Sequence, residues 1–262
     1  MSQPAIDGVD KAPLGQDTID PGVILCNRTG SVQQPDWMTD GSFLCFRKLQ
    51  QNVPEWNRFL IDASNKLGIW SDQLGARLIG RWKSGCPVTM SPDFDDTGIA
   101  NDPNRVNNFD FDSGNNFRCP LGAHIRKTNP RSDVGRGPNS FTNTTRILRR
   151  GIPYGEELDV APQGERGLLF VCYQSSLTGG FAFLQRTWAN NPDFLTGGVG
   201  LDAVLGQTSD PNATINMTGL FPQDPSRPLP MSGVNKFVVP KGGEYFFSPS
   251  MAALSGVLAD VK

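Results

Sequence analysis

Gly167-Leu-Leu-Phe-Val-Cys-Tyr-Gln174 is the stretch whose reading decides the fold. A short continuous apolar run, rich in aromatic and aliphatic side chains, reads as a central strand. Behind it, Gly179–Asn190 reads as a helix with Phe181, Leu184 and Trp188 on one face. Toward the N-terminus, Ser42-Phe-Leu-Cys-Phe-Arg47 is a second buried strand. Pro54 opens a helix that aligns Trp56, Phe59, Leu60, Ala63 and Leu67 and stops at Gly68. A further helix over about Asp72–Trp82 aligns Leu74, Leu78 and Trp82 but carries Gly75 and Gly80, which weaken it.

Toward the C-terminus, residues 191–235 are loop-dominated. Lys236-Phe-Val-Val-Pro and Glu244-Tyr-Phe-Phe, joined by Lys241-Gly-Gly, read as a hairpin, and Met251–Val261 as a closing helix. Residues 1–41 hold the turn signals Asp20-Pro-Gly, Gln34-Pro-Asp and Asp40-Gly and read as a loop-rich lead-in to a domain over 42–262. Strands and helices do not alternate strictly, so the order predicts α+β rather than a doubly wound sheet.

At 262 residues the chain can bury a sizeable core. A net charge of −2 with interspersed signs gives no basic footprint for nucleic acid or an anionic membrane, and no apolar run has membrane-spanning length. Five cysteines show no metal or redox spacing, and Cys45 and Cys172 fall inside apolar runs as buried thiols. The carboxylates of Asp93-Phe-Asp-Asp and Asp110-Phe-Asp lack the spacing of a calcium loop and read as solvated.

The chemistry lies in Cys119-Pro-Leu-Gly-Ala-His124-Ile-Arg-Lys-Thr-Asn-Pro-Arg131, which holds the only histidine. Gly122 and Ala123 are small enough to let a flat ring approach the backbone. Farther on comes Ile147-Leu-Arg-Arg-Gly-Ile-Pro-Tyr154-Gly, then the strand at Gly167. One imidazole, a cationic segment and an apolar wall are the parts a haem-iron site requires.

The same segments in the same order resemble the dye-decolorizing peroxidases, most of all the secreted fungal members, from Ser2-Gln-Pro-Ala-Ile-Asp-Gly-Val to Gly243-Glu-Tyr-Phe-Phe-Ser-Pro-Ser250. The resemblance implies a ferredoxin-like domain of the dimeric α/β-barrel type that binds haem b. It also implies use of hydrogen peroxide to oxidise phenols and dyes, with neither nucleic acid nor membrane as partner. Gly-Ala-His-Ile-Arg-Lys matches the family's proximal-ligand segment, making His124 the iron ligand. Arg149, two before Gly151, matches the distal arginine, which would stabilise charge on the leaving oxygen as peroxide splits; Arg150 would point away.

Leu168 and Phe170 match the family's apolar distal wall, although plain core residues would look the same. Asp202 is the candidate carboxylate behind the ligand, with Asp193 as its competitor. Tyr154 and Trp188 match positions that carry electrons between haem and bulky substrates, against the plain reading of an interface tyrosine and a helix-face tryptophan. Arg126, Lys127 and Arg131 are either partners of the haem propionates or surface charges.

In the family a Gly-x-x-Asp-Gly motif with the distal aspartate precedes the Ser-Gln-Pro found here at 2–4, and a further ferredoxin-like domain lies upstream of it. This chain starts with Met1 where that motif ends, and Asp7 of Pro4-Ala-Ile-Asp-Gly8 occupies a different slot. The expectation is therefore a truncated form with reduced activity. The rival readings are a non-catalytic haem-binding protein of the same fold and a haem-free interaction domain. The family resemblance, with sequons at Asn27, Asn143, Asn212 and Asn216, predicts secretion, although no signal peptide is visible.

Overall fold

The computed structural model describes residues 4–8, 11–135, 140–208, 214–221, 223–224, 226–232 and 237–259. Its centre is an antiparallel sheet built from β3 (Ser42–Gln51), β4 (Leu148–Arg149), β5 (Ile152–Tyr154), β6 (Gly167–Gln174) and β9 (Val238–Ser248), in the order β4-β6-β3-β9 with β5 also on β6. Short pairs β1 (Ala5–Ile6) with β2 (Thr18–Ile19) and β7 (Thr214–Met217) with β8 (Leu229–Ser232) lie outside it.

β4 and β5 are one strand broken at Arg150–Gly151, and the Arg150 N–H still donates to the Val171 carbonyl at 2.8 Å across the break. Counted so, the sheet runs second–third–first–fourth, with helices after the first and third strands. This is the ferredoxin-like α+β topology.

α1 (Val53–Leu67) and α2 (Ser71–Ile79) follow β3. Each ends at a left-handed glycine, Gly68 at φ +67° and Gly80 at φ +93°, whose N–H caps the preceding turn. Gly80 stops α2 short of the predicted end at Trp82, because glycine adopts that angle more readily than it continues a helix. Leu60, Ala63, Leu74 and Leu78 from these helices form a core with Ala203, Met217, Leu220 and Phe237.

The loop-dominated regions contain the short helices α3 (Thr97–Ala100), α4 (His124–Thr128) and α5 (Phe141–Thr144). After β6, α6 (Phe181–Phe183) continues into a π-helical turn, Leu184–Ala189, and α7 (Met251–Ser255) follows β9. Ile19, Val23 and Ile24 of the lead-in pack with Leu148 and Tyr173 on one sheet face. Arg149, Cys172 and Phe170 occupy the opposite face, beneath α6.

Three expectations change. The hairpin at Lys241-Gly-Gly is instead one continuous strand, β9, paired along all of β3 with a register shift between Lys48 and Leu49; the glycines ride an irregular edge instead of turning. The loop-dominated stretch 191–235 contains β7 and β8. The closing helix ends at Ser255 because Gly256 and the turns after it leave helical geometry. Lys236 of the expected hairpin, residues 260 and 261 of the expected helix and the sequon asparagine Asn212 lie outside the described residues.

Candidate haem-binding cleft

His124 is the first residue of α4, entered from an extended Ala123. The segment is seated tightly: a Cβ at Gly122 would come within 2.9 Å of Met217 Cε and 3.0 Å of the Val199 carbonyl. Gly122 and Ala123 therefore serve packing behind the ligand segment and do not line the cleft that His124 faces, contrary to expectation.

The imidazole is 9% exposed, and its Nδ1–H donates to Asp202 Oδ2 at 2.8 Å. Asp202 is fully buried, and its Oδ1 accepts the backbone N–H groups of Val204 and Leu205, both at 2.8 Å. Burial alone would push the Asp202 carboxyl up; the charge and hydrogen bond of His124 and the two amides outweigh it and hold the carboxyl below its ordinary range. With Nδ1 committed, Nε2 is the ring nitrogen left for the cleft. Asp193, the competing carboxylate, instead accepts the Gly198 N–H at 2.9 Å in an exposed turn.

The cleft and its open mouth together hold about 730 Å³ of empty space. His124, Thr128 and Asn129 form one side; Arg146, Ile147, Arg149 and Phe170 form another; Phe181, Leu184, Gln185 and Ala189 close it from α6 and the π turn. None of the described lining residues is a carboxylate. A second cleft lies beside it and shares Phe170, Phe181, Gln185 and Leu205 as lining.

Arg149 lines the cleft half-buried, its guanidinium pKa lowered by burial, while Arg150 is exposed and bends back to the Arg149 carbonyl at 3.1 Å. Leu168 lies on the same face as Phe170 but outside the cleft lining; it covers the strand break, its Cδ1 3.2 Å from where a Gly151 Cβ would stand.

Arg126 is not available to haem propionates, and Arg131 does not line the cleft. All five N–H donors of Arg126 are taken, by Asp133 at 2.7 and 2.9 Å and by the carbonyls of Asp112, Asn115 and Cys119. Arg131 donates to the carbonyls of Phe109, Asn107 and Gly15, stacks 4.0 Å over the Phe109 ring, and lines a separate polar cleft. Lys127 is not a surface charge: it is fully buried, donates to the carbonyls of Asn191 (2.5 Å) and Trp188 (3.4 Å), and burial pushes its pKa down to about 8.

Trp188 is only 2% exposed, stacked on Phe194 at 5.0 Å and edged by Phe183 and by the half-exposed Phe141. It stands behind the wall formed by Leu184, Gln185 and Ala189. Tyr154 is remote from the cleft lining. Its hydroxyl donates to Glu165 Oε1 at 3.1 Å, and Lys48 Nζ lies 4.9 Å from its ring and 2.9 Å from Glu165.

Sequence reasoning missed Arg146, which lines the cleft 8% exposed and donates to Asn129 Oδ1 at 2.9 Å. Burial, then Arg149 and Arg131 nearby, pushes its pKa down to about 10. Strand alternation counted back from Arg149 would aim Arg146 the other way; it reaches the cleft because β4 begins only at Leu148.

Two sequons lose their glycosylation reading. Asn27 Nδ2 is tied to the carbonyls of Gln34 and Pro35 and to Thr39 Oγ1, and Asn143 is 3% exposed. All five cysteines are free and buried. Among the described residues no helix is long and apolar enough to cross a membrane, and no cluster of three or more His, Cys, Asp or Glu side chains is placed to hold a metal ion by itself.

Residues 23–197 match the family model described as Dyp-type peroxidase, C-terminal. A dye-decolorizing peroxidase of Exidia glandulosa is 45% identical over 99% of this chain and 54% of its own length. One from Auricularia auricula-judae is 43% identical over 99% of this chain and 55% of its own. The chain thus spans about half the length of the curated relatives it matches. Among solved structures, an ancestral D-type dye-decolorizing peroxidase superposes with a TM-score of 0.89 at 46% identity, covering 97% of this chain and 60% of that one. The fungal DyP-type peroxidase of Auricularia auricula-judae gives 0.88 at 41%, covering 98% and 62%. With the family model matched over most of the chain and the same fold shared at this identity, the chain belongs to the Dyp-type peroxidase family.

Proposed function

We propose that this chain is the haem-binding part of a dye-decolorizing peroxidase, taking haem b on His124 and using hydrogen peroxide to oxidise phenols and dyes. The observation that carries the reading is the buried His124 ring, held at Nδ1 by Asp202, facing a cleft whose other walls bring Arg149 and Phe170. The residues fit the group: an imidazole with one nitrogen fixed and the other free toward an apolar slot is a haem ligand's arrangement. When bound, haem supplies a redox-active iron that accepts oxidising equivalents from peroxide.

Asp202 fixes the ring orientation and tautomer and raises its basicity. Arg149 and Arg146 put two fixed positive charges on the cleft, where partial burial makes them more effective toward anionic oxygen than they would be in water. Phe170 keeps that side dry, with Leu168 extending the apolar face along β6. Trp188, behind the cleft wall, and Tyr154, at the sheet's outer end, carry electrons from reductants too bulky to enter. Secretion is part of the proposal and rests on the similarity to fungal relatives, since the sequons at Asn27 and Asn143 no longer support it.

The test is an absorbance titration of the chain with haemin, then peroxide and a dye, beside His124→Ala and Arg149→Ala. A stoichiometric Soret band that is lost in His124→Ala, with dye oxidation lost in Arg149→Ala, supports the proposal. A band that peroxide only bleaches supports a non-catalytic haem-binding protein, and no band from folded protein rejects haem binding.

A further inference from the structure

Cys45 and Cys172 stand directly opposite each other in the register of β3 and β6, and Cys172 in turn faces Arg149 on β4. The hydrogen-bond parity of the sheet defines the pair further. The Gln51 N–H donates to the Arg166 carbonyl at 2.8 Å, so every second rung from there, through Arg47–Phe170 to Cys45–Cys172, is a hydrogen-bonded pair. Such pairs hold their Cα atoms about 5.5 Å apart, within the range a disulfide spans.

Both thiols are fully buried and on one face of the sheet. Cys172 Sγ donates to Gln174 Oε1 at 3.6 Å, while Cys26, Cys86 and Cys119 donate to the backbone carbonyls of Ser175, Pro87 and Pro120. Phe170, the next residue on the same face of β6, lines both clefts, which places the thiols one rung from them. Nothing in the proposed peroxidase chemistry uses them.

We propose that Cys45 and Cys172 are a modification site: a buried dithiol that hydrogen peroxide entering the cleft oxidises to a cross-strand disulfide. One of the two sulfurs attacks one peroxide oxygen, the O–O bond breaks, and the departing hydroxide takes up that thiol's proton as water. The other sulfur then displaces the hydroxyl from the sulfenic acid so formed, and that hydroxide leaves with the second thiol's proton as a second water. One peroxide gains the two electrons that the two thiols lose.

Either sulfur of the pair can attack, with the other resolving. The inference rests on the proposed function only in that the cleft admits peroxide.

The test uses the full chain, reduced, freed of reductant and kept without haemin, so that it is independent of haem binding. Peroxide is added in molar excess, and the protein is denatured, alkylated and mapped by mass spectrometry. The expected result is a linked peptide pair containing Cys45 and Cys172 and a loss of two hydrogens from the intact mass, with Cys26, Cys86 and Cys119 still alkylated. Cys45→Ser and Cys172→Ala should each abolish the linked pair, and in at least one of them the remaining thiol should stop at sulfenic acid, trapped by dimedone; near-ultraviolet circular dichroism confirms that each variant is folded. Equal oxidation of all five thiols, linkage to any other cysteine, or full alkylation of Cys45 and Cys172 after peroxide treatment overturns the proposal.

Discussion

Asp202 reaches His124 through Oδ2 while its other oxygen is pinned by the amides of Val204 and Leu205, so a single buried carboxylate joins the loop after the π turn to the start of α4. Asp202→Asn keeps the shape and removes the charge. It should weaken haemin binding by ~10–100-fold, the usual cost of losing a partner behind a metal ligand, measured by Soret titration. Unchanged affinity would detach Asp202 from the ligand's function.

Arg126 should behave as a structural residue. Arg126→Ala strands the Asp133 carboxylate and three carbonyls, and a loss of about 3–5 kcal/mol in urea unfolding is expected. Arg126→Lys should not restore it, because an ammonium cannot reproduce the five-donor fork. Haemin affinity of the folded fraction should stay at the wild-type value.

Arg149 and Arg150 are adjacent in sequence and opposite in role. Arg149→Ala should lower peroxide-driven dye oxidation by ~10²–10³-fold, the scale of losing one preorganised charge-stabilising group, whereas Arg150→Ala leaves it unchanged. Steady-state turnover on one dye preparation checks both, and equal losses would remove Arg149 from the chemistry.

Trp188→Phe preserves most of the ring packing against Phe194 and Phe183 while removing the readily oxidised indole. Oxidation of a bulky dye should fall and that of a small phenol persist. A parallel loss of both substrates would place Trp188 in packing alone.

Lys127 makes stability depend on pH. Its folded-state pKa of about 8 lies below the ordinary 10.5, so between these values the unfolded chain holds more protons and stability rises with pH. Against Lys127→Met, the wild type should gain ground from pH 8 to pH 10 by up to ~1.4 kcal/mol per pH unit. Urea unfolding of both proteins across that window is the measurement, and a flat difference would mean that Lys127 stays charged.

Much of this was legible in the residues. The limits of β6 follow from its apolar run, and α1 ends at Gly68 because that glycine can turn left-handed where its neighbours cannot. The Asp202 partnership bridges 78 positions, so periodicity gives no hint of it, and only its place after the helix and the family resemblance suggested the residue. Arg126 and Arg131 misled because a cation's sequence neighbourhood does not reveal whether carbonyls of the fold have already claimed its donors. The continuous β9 misled for a related reason: Lys241-Gly-Gly has the composition of a turn, yet β3 supplies a partner along its whole length.

The π turn over Leu184–Ala189 carries one further consequence. A π turn is an α-helix with one residue inserted, and the Asn190 N–H reaching back five places to Gln185 marks the extra member. The turn absorbs that residue, so the chain on either side keeps the register of an ordinary helix. Trp188 is thereby held in its stack on Phe194, and the Ala189 carbonyl accepts the Asp202 N–H at 2.9 Å, tying the turn to the carboxylate behind His124. Deleting the exposed Thr187 would tighten the turn to ordinary winding with both anchors close to place, whereas the same deletion in a regular helix would swing everything downstream by about 100°. The π turn thus gives this segment a tolerance of sequence length that an α-helix in its position would lack.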